Sequence, residues 1–311
     1  MPSYSTILKG LVALAPFAAA APAQMAVRSA SASAAMAMST GAAPAAAAAA
    51  PGGGLTDVDI LNFALTAEHL ESEYYKQGFA KFSMADFMAL GLSETQVKSL
   101  MGVGQTEATH VSTLISAIAA TGSKPVEACT YNFDAALASA DAMVKTARVL
   151  EAVGVSAYLG AAPLVNSSDV LAAAASIVTV EARHQAFIRV ASGAEPVPAA
   201  FDVPLQPRAV FTLAAQFIKS CPEGSNLNIQ PFPAISLQNP EKATVGQNLK
   251  LTDSCPASRR ILLGGAQFSA ISNGNCMVPQ NLAGEVYMMI TKSKSIADAE
   301  VLAGPSVIQP S

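Results

Sequence analysis

Six residues concentrate the chemistry of this sequence. Glu107-Ala108-Thr109-His110 and Glu181-Ala182-Arg183-His184 each place a carboxylate and an imidazole three positions apart. On a helix, positions i and i+3 are neighbours, so each motif offers an oxygen and a nitrogen to one point. That mixed donor set suits a divalent transition-metal ion. The chain has 3 histidines and 13 glutamates. Two of those histidines carry Glu at −3, which random placement delivers about 0.5% of the time. Glu68 and Glu151 complete the set.

Helical periodicity over 55–221 supplies the elements that position them. The expected helices run from about Thr56 or Asp57 to Gln77, Ser93 to Gly122, Asp134 to Gly160 and Ser168 to Gly193, with a shorter one over Arg208 to Ser220. Ser93 with Gln96 three residues on is a capping-box start, and Pro163, Pro196 and Pro198 stop helices. At 100° per residue, Leu61, Ala64, Leu65, Ser72, Tyr75 and Phe79 surround Glu68. Glu71 falls on the edge of that stripe, Glu73 points away and His69 lies a quarter-turn off. Glu107, Glu151 and Glu181 sit equally central on their apolar stripes, with His110 and His184 one turn on. Four helices thus each aim one carboxylate into the core. An ionised carboxylate there loses several kcal/mol of hydration. The stripes carry no matching cations; Arg148 alone lies near one, about 60° from Glu151. Two divalent cations balance four carboxylates. One Glu from each of two helices plus Glu-x-x-His from each of two others is the ligand recipe of di-iron and di-manganese bundles. Either metal, or one of each, fits this set.

The pattern also repeats. Glu68 is followed seven residues later by Tyr75, and Glu151 seven later by Tyr158; each such helix precedes a Glu-x-x-His helix. Glu-to-Glu spacings are 39 and 30 residues, the longer loop Ala80–Leu92 absorbing the difference. Duplication of a helical hairpin explains this. Tyr75 and Tyr158 become candidates for orienting the carboxylates, for redox activity, or for plain core packing.

The doubled pattern resembles the ferritin-like superfamily, rubrerythrins and bacterioferritins included. The run Ala147-Arg148-Val149-Leu150-Glu151-Ala152-Val153-Gly154-Val155-Ser156-Ala157-Tyr158, with Thr130-Tyr131-Asn132-Phe133 and Val180-Glu181-Ala182-Arg183-His184, is more particular. It is similar to secreted ferritin-like-domain proteins, which include fungal stress- and sexual-development-associated proteins and plant desiccation-related proteins. The resemblance covers about residues 55–220 and implies metal ligation by Glu68, Glu107, His110, Glu151, Glu181 and His184. It implies no single reaction.

The expected fold is mainly α, a ferritin-like four-helix bundle with an extra short helix, followed by a small C-terminal β-sandwich-like domain over 222–311. Short β-type runs, Ala234–Leu237, Asn248–Leu251, Arg260–Leu263 and Gly284–Ile290, separated by turns such as Asn273-Gly274-Asn275, mark that last part. Lys9, the apolar stretch 10–21 and Ala21-Pro22-Ala23 read as an export signal over 1–23. An Ala-, Ser-, Met- and Pro-rich linker follows over 24–54. Export makes disulfides the default, and Cys129–Cys221 and Cys255–Cys276 are the expected pairs. Asn166-Ser167-Ser168 is a glycosylation sequon in an interhelical loop.

A net charge of −4 at 13% charged residues leaves no basic footprint for nucleic acid. Beyond the N-terminus no apolar run reaches the ~18–20 residues of a membrane span. The partners expected are metal ions with dioxygen or peroxide, in a secreted protein of ferroxidase, peroxidase or manganese-catalase type. The alternative is a non-catalytic structural or stress-protective protein, attached to the cell wall and with a vestigial or purely structural metal site.

Overall fold

The computed structural model describes residues 55–309 apart from 226, 236, 239–243, 252–259 and 264–266, with backbone alone at 260–263. The expected export signal, the linker and Cys255 lie outside the described residues. Four long helices form the bundle: α1 (Asp57–Lys81), α3 (Glu94–Ala120), α4 (Ala140–Ala161) and α5 (Ser168–Ala191). Short α2 (Met84–Met88) lies inside the expected loop between the first pair, and α6 (Pro207–Ala214) is the extra helix. Capping hydroxyls set the starts. Thr56 Oγ1 accepts from the Asp59 amide at 3.2 Å, Ser93 Oγ from Gln96 at 3.3 Å, Ser139 Oγ from Ala142 at 3.1 Å and Ser167 Oγ from Val170 at 3.3 Å.

Three helix boundaries differ from expectation by four residues or more, the first being α1, which runs on to Lys81 rather than ending at Gln77. The third long helix begins at Ala140 rather than Asp134, and the short helix stops at Ala214 rather than Ser220. Between them β1 (Thr130–Tyr131) pairs antiparallel with β2 (Ile218–Ser220). The expected disulfide Cys129–Cys221 closes this ribbon. Residues 218–220, claimed by the ribbon, are unavailable to α6, whereas 134–139 form turns between β1 and the Ser139 cap of α4.

Helix α1 packs mainly on α3, and α4 on α5. Between the hairpins, position 68 of α1 meets 158 of α4 while 75 meets 151, so α1 and α4 run antiparallel. Apolar clusters occupy both sides of this level. One gathers Leu70, Tyr74, Leu100, Met143 and Ile188, the other Leu61, Leu65, Leu114, Ile118 and Ile177.

The C-terminal region adds one six-stranded antiparallel sheet, ordered β3 (Asn248–Lys250), β6 (Asn275–Met277), β5 (Gln267–Ser272), β4 (Arg260–Leu263), β7 (Val286–Thr291), β8 (Val301–Ile308). Asn273 and Gly274, at φ 50° and 73°, make the two-residue turn between β5 and β6. Every side chain of β7 is buried. Tyr287 and Met289 pack toward α4 and α6, whereas Val286, Met288 and Ile290 face the sheet's own core. The run at Ala234–Leu237 contributes an isolated bridge between Leu237 and Leu251. Cys276 is a buried thiol 3.8 Å from the Leu249 carbonyl, with no disulfide to any described residue.

The chain returns from α5 across α4 at one close approach. The Leu205 amide donates to the Ser156 carbonyl at 3.0 Å. A Cβ on Gly160 would stand 1.8 Å from the Leu205 carbonyl oxygen. Gly160→Ala is therefore expected to lower unfolding free energy by about 1–3 kcal/mol, read from the shift in urea midpoint at unchanged slope.

Candidate metal centre

All six sequence-predicted ligands converge at mid-bundle. Glu68, Glu107, Glu151 and Glu181 have no exposed surface, and His110 and His184 are buried. Each imidazole turns Nδ1 inward. His110 Nδ1 lies 3.1 Å from Glu107 Oε2, 3.0 Å from Glu181 Oε1 and 3.3 Å from Glu68 Oε2. His184 Nδ1 lies 2.7 Å from Glu107 Oε1 and 3.4 Å from Glu151 Oε2. Two overlapping quartets result, Glu68–Glu107–His110–Glu181 and Glu107–Glu151–Glu181–His184. Within each, one donor atom per residue falls within 4.8 Å of the others, and Glu107 and Glu181 belong to both.

The tyrosines complete a reciprocal exchange between α1 and α4. Tyr75 Oη donates to Glu151 Oε1 and Tyr158 Oη to Glu68 Oε1, both at 2.5 Å. Burial, then the adjacent carboxylate, raises each phenol far above its ordinary value, so both remain donors. Gly104 of α3 makes room for the first pair, since a Cβ there would lie 2.9 Å from Tyr75 Cβ.

Apart from Glu107 Oε2, hydrogen-bonded with His110 Nδ1, the remaining oxygens lack hydrogen-bond partners. Of the nine buried side-chain atoms without a hydrogen bond among the described residues, six belong to this cluster: Glu68 Oε2, Glu107 Oε1, Glu151 Oε2, both oxygens of Glu181 and His184 Nδ1. A buried acceptor left unpaired costs about 1–3 kcal/mol, more if charged. Oxygen and imidazole donors meeting at shared points fit divalent metal ions, which the carboxylate and histidine groups can hold. Protons compete for the same atoms. Burial, with Glu107 nearby, lifts Glu151 to about 7, and burial, with Glu151 and Glu107, lifts Glu181 to about 8. Burial works against protonated His110 and His184, yet the surrounding carboxylates outweigh it and raise them to about 12 and 10. Burial likewise opposes ionised Glu107, but His110 and His184 together hold it down at about 2.

Three further residues lie near the cluster without belonging to either quartet. Arg148 pairs not with Glu151 but with Glu285, Nε to Oε1 at 3.1 Å. Arg189 of α5 pairs with the other oxygen of Glu285, tying the sheet region to the bundle. Half-buried His69 approaches the Val126 carbonyl at 3.2 Å and stays outside both quartets. Glu71, placed at the stripe's edge by helical angle, is 4% exposed. Burial first, then Glu181, Glu107, Glu68 and Glu151, pushes its carboxyl well above the usual range. Its sequence signal was the i, i+3 spacing from Glu68, the same offset that joins each histidine to its glutamate.

Residues 56–194 match the sequence model of the Ferritin-like domain family. This stretch is a ferritin-like domain. It contains all six converging residues and both tyrosines. The chain is also similar to Protein rds1 of Schizosaccharomyces pombe, 29% identical over 187 residues. That match takes in 59% of this chain and 45% of the rds1 protein, so the chain spans about half of this relative's length.

Glu151, Glu181 and both histidines hold protons more tightly in the fold than in the unfolded chain. Between about pH 4.5 and 8 the chelated protein consequently loses stability as pH rises. Cations replace those protons, so the gain in Tm on adding Mn(II) is expected to be larger at about pH 8 than at about pH 6 by scanning fluorimetry. An equal gain at both pH values would contradict this competition.

Proposed function

We propose that the bundle holds two ions of iron or manganese, or one of each, and that the protein is a secreted oxidoreductase protecting against stress. Its substrates in this reading are dioxygen, peroxide or ferrous iron. The observation that carries the reading is the overlap of two quartets through Glu107 and Glu181. Glu107 and Glu181, which belong to both quartets, would serve both ions, while Glu68 with His110 would hold one and Glu151 with His184 the other. Iron or manganese bound there supplies reversible electron transfer to an oxygen species. The chain's own contribution is positional. Tyr75 and Tyr158 hold Glu151 and Glu68 by one oxygen each, leaving the second oxygen directed at the cluster. Apolar clusters on both sides keep bulk water from the level of the carboxylates.

Secretion is supported by the N-terminal Lys9, apolar stretch and Ala21-Pro22-Ala23. The Cys129–Cys221 bridge fits an oxidising compartment, and Asn166 of the sequon is exposed between α4 and α5.

Elemental analysis of full chain purified without added metal is expected to find near two Fe or Mn per chain, with turnover of peroxide or ferrous iron. Glu107→Ala should abolish both metal and turnover, since it removes a ligand from each quartet. No metal, with Glu107→Ala as stable as the parent or more so, would sink the metal reading and favour a structural protein. Tyr75→Phe and Tyr158→Phe should each cost about 10–100-fold in metal affinity or turnover, read by chelator competition and initial rates. Unchanged values would reduce both tyrosines to packing.

A further inference from the structure

A cavity of about 520 Å³ lies between α1, α4, α6 and β8. Its walls are mostly apolar, among them Leu70, Val153, Leu213, Phe232 and Val307. At one side Gln216 is exposed; at another, buried Glu71 contributes its carboxyl. No hydrogen bond reaches that carboxyl from any described residue. Glycine at 154 opens this place toward the cluster. A Cβ there would stand 3.0 Å from Glu71 Oε1 and 2.9 Å from Glu181 Oε2, so the two carboxyls flank one gap. An unpartnered polar group in an apolar cavity beside a reactive cluster has the make-up of a ligand site.

We propose that this cavity binds a small neutral molecule with an apolar body and one hydroxyl, an alcohol or phenol, hydrogen-bonded to Glu71. The chemistry of the walls selects it. An anion would meet Glu71 and, across the gap, Glu181. A cation would lose its hydration against aliphatic walls and find the Phe232 ring already occupied by Arg208, 3.9 Å from its centroid. The Thr212 hydroxyl is engaged as well, donating to Arg208 O and accepting from the Phe232 amide. Among the lining side chains Glu71 is the buried acid, and it serves as the polar handle. An engineered cavity of about 150 Å³ accepts a benzene ring, so this volume takes two fused rings. Pro305, Ser306 and Val307 line the cavity from β8, which gives the C-terminal sheet a part in ligand selection beyond packing on the bundle. The pocket does not require the metal reading, and its test keeps the two apart.

Binding of four molecules sharing one body, 1-naphthol, naphthalene, 1-naphthoate and 1-naphthylmethylamine, to the full chain is read by calorimetry near neutral pH. Metal content is measured on the same samples. One saturable naphthol site is expected, preferred over naphthalene by about tenfold, the worth of one good hydrogen bond. Glu71→Leu should erase that preference with metal content unchanged, Glu71→Gln should retain most of it, and Val307→Trp should block all binding while the melting profile stays cooperative. Naphthol binding to a chain that holds no metal supports the pocket and sinks the proposed function. Metal-loaded chain that binds no naphthol, binds the acid or amine better, or binds equally after Glu71→Leu overturns the pocket.

Discussion

An ionised carboxylate moved from water into an apolar core loses several kcal/mol of solvation even after relaxation, and this bundle buries four at one level with a fifth, Glu71, beside them. Among the described residues no Lys or Arg comes to them; half-buried Arg148 and buried Arg189 pair with Glu285 instead. Among the described residues two imidazoles and two phenols provide the only donors, and six polar atoms of the cluster stay unpaired. The rest of the bundle answers that imbalance. Helices approach closely where Gly104 and Gly154 omit a side chain, which is how Tyr75, Glu71 and Glu181 find room. Protons or cations must make up the remaining charge, which links metal affinity, pH and stability in one equilibrium.

The two-fold character of the site follows from two hairpins of like design. Tyrosine of α1 serves the glutamate of α4, and tyrosine of α4 serves the glutamate of α1, at the same 2.5 Å. Glutamates of α3 and α5 then occupy the shared middle, each followed one turn on by its histidine. Such an arrangement gathers two overlapping groups of donors. It also explains why either glutamate of the middle pair matters to both halves.

Much of this was legible because polar residues on an apolar stripe are conspicuous in a chain with 13% charged residues. The four glutamates, two histidines and two tyrosines were picked out by angle and repeat, and the Ser93 cap by its spacing from Gln96, whereas the caps at Ser139 and Ser167 were not. What else escaped notice depended on distant chain. Glu71 sits 60° from the stripe's centre, and its burial comes from α4 and from the C-terminal segments that close over that flank of α1. Strands β1 and β2 are two and three residues long, too short for any period to show. Pro305 disguised β8, where it is tolerated because β8 is an edge strand. The arginine partners of Glu285 lie about 100 residues or more upstream, beyond the reach of helical angles.

The sheet region is thus joined to the bundle by more than a linker. Glu285 is clamped by Arg148 and Arg189, Ser156 Oγ donates to Tyr287 Oη at 2.9 Å, and β8 walls the cavity that reaches Glu71. Bundle and sheet fold against each other around the same buried charges. The central claim, that two cations sit where the quartets overlap, is tested most directly by anomalous diffraction from crystals of the purified protein at the iron and manganese edges. Two peaks are predicted, one ringed by Glu68, Glu107, His110 and Glu181 and the other by Glu107, Glu151, Glu181 and His184. A single peak outside these residues, or none with the glutamates hydrogen-bonded to one another, would contradict the account.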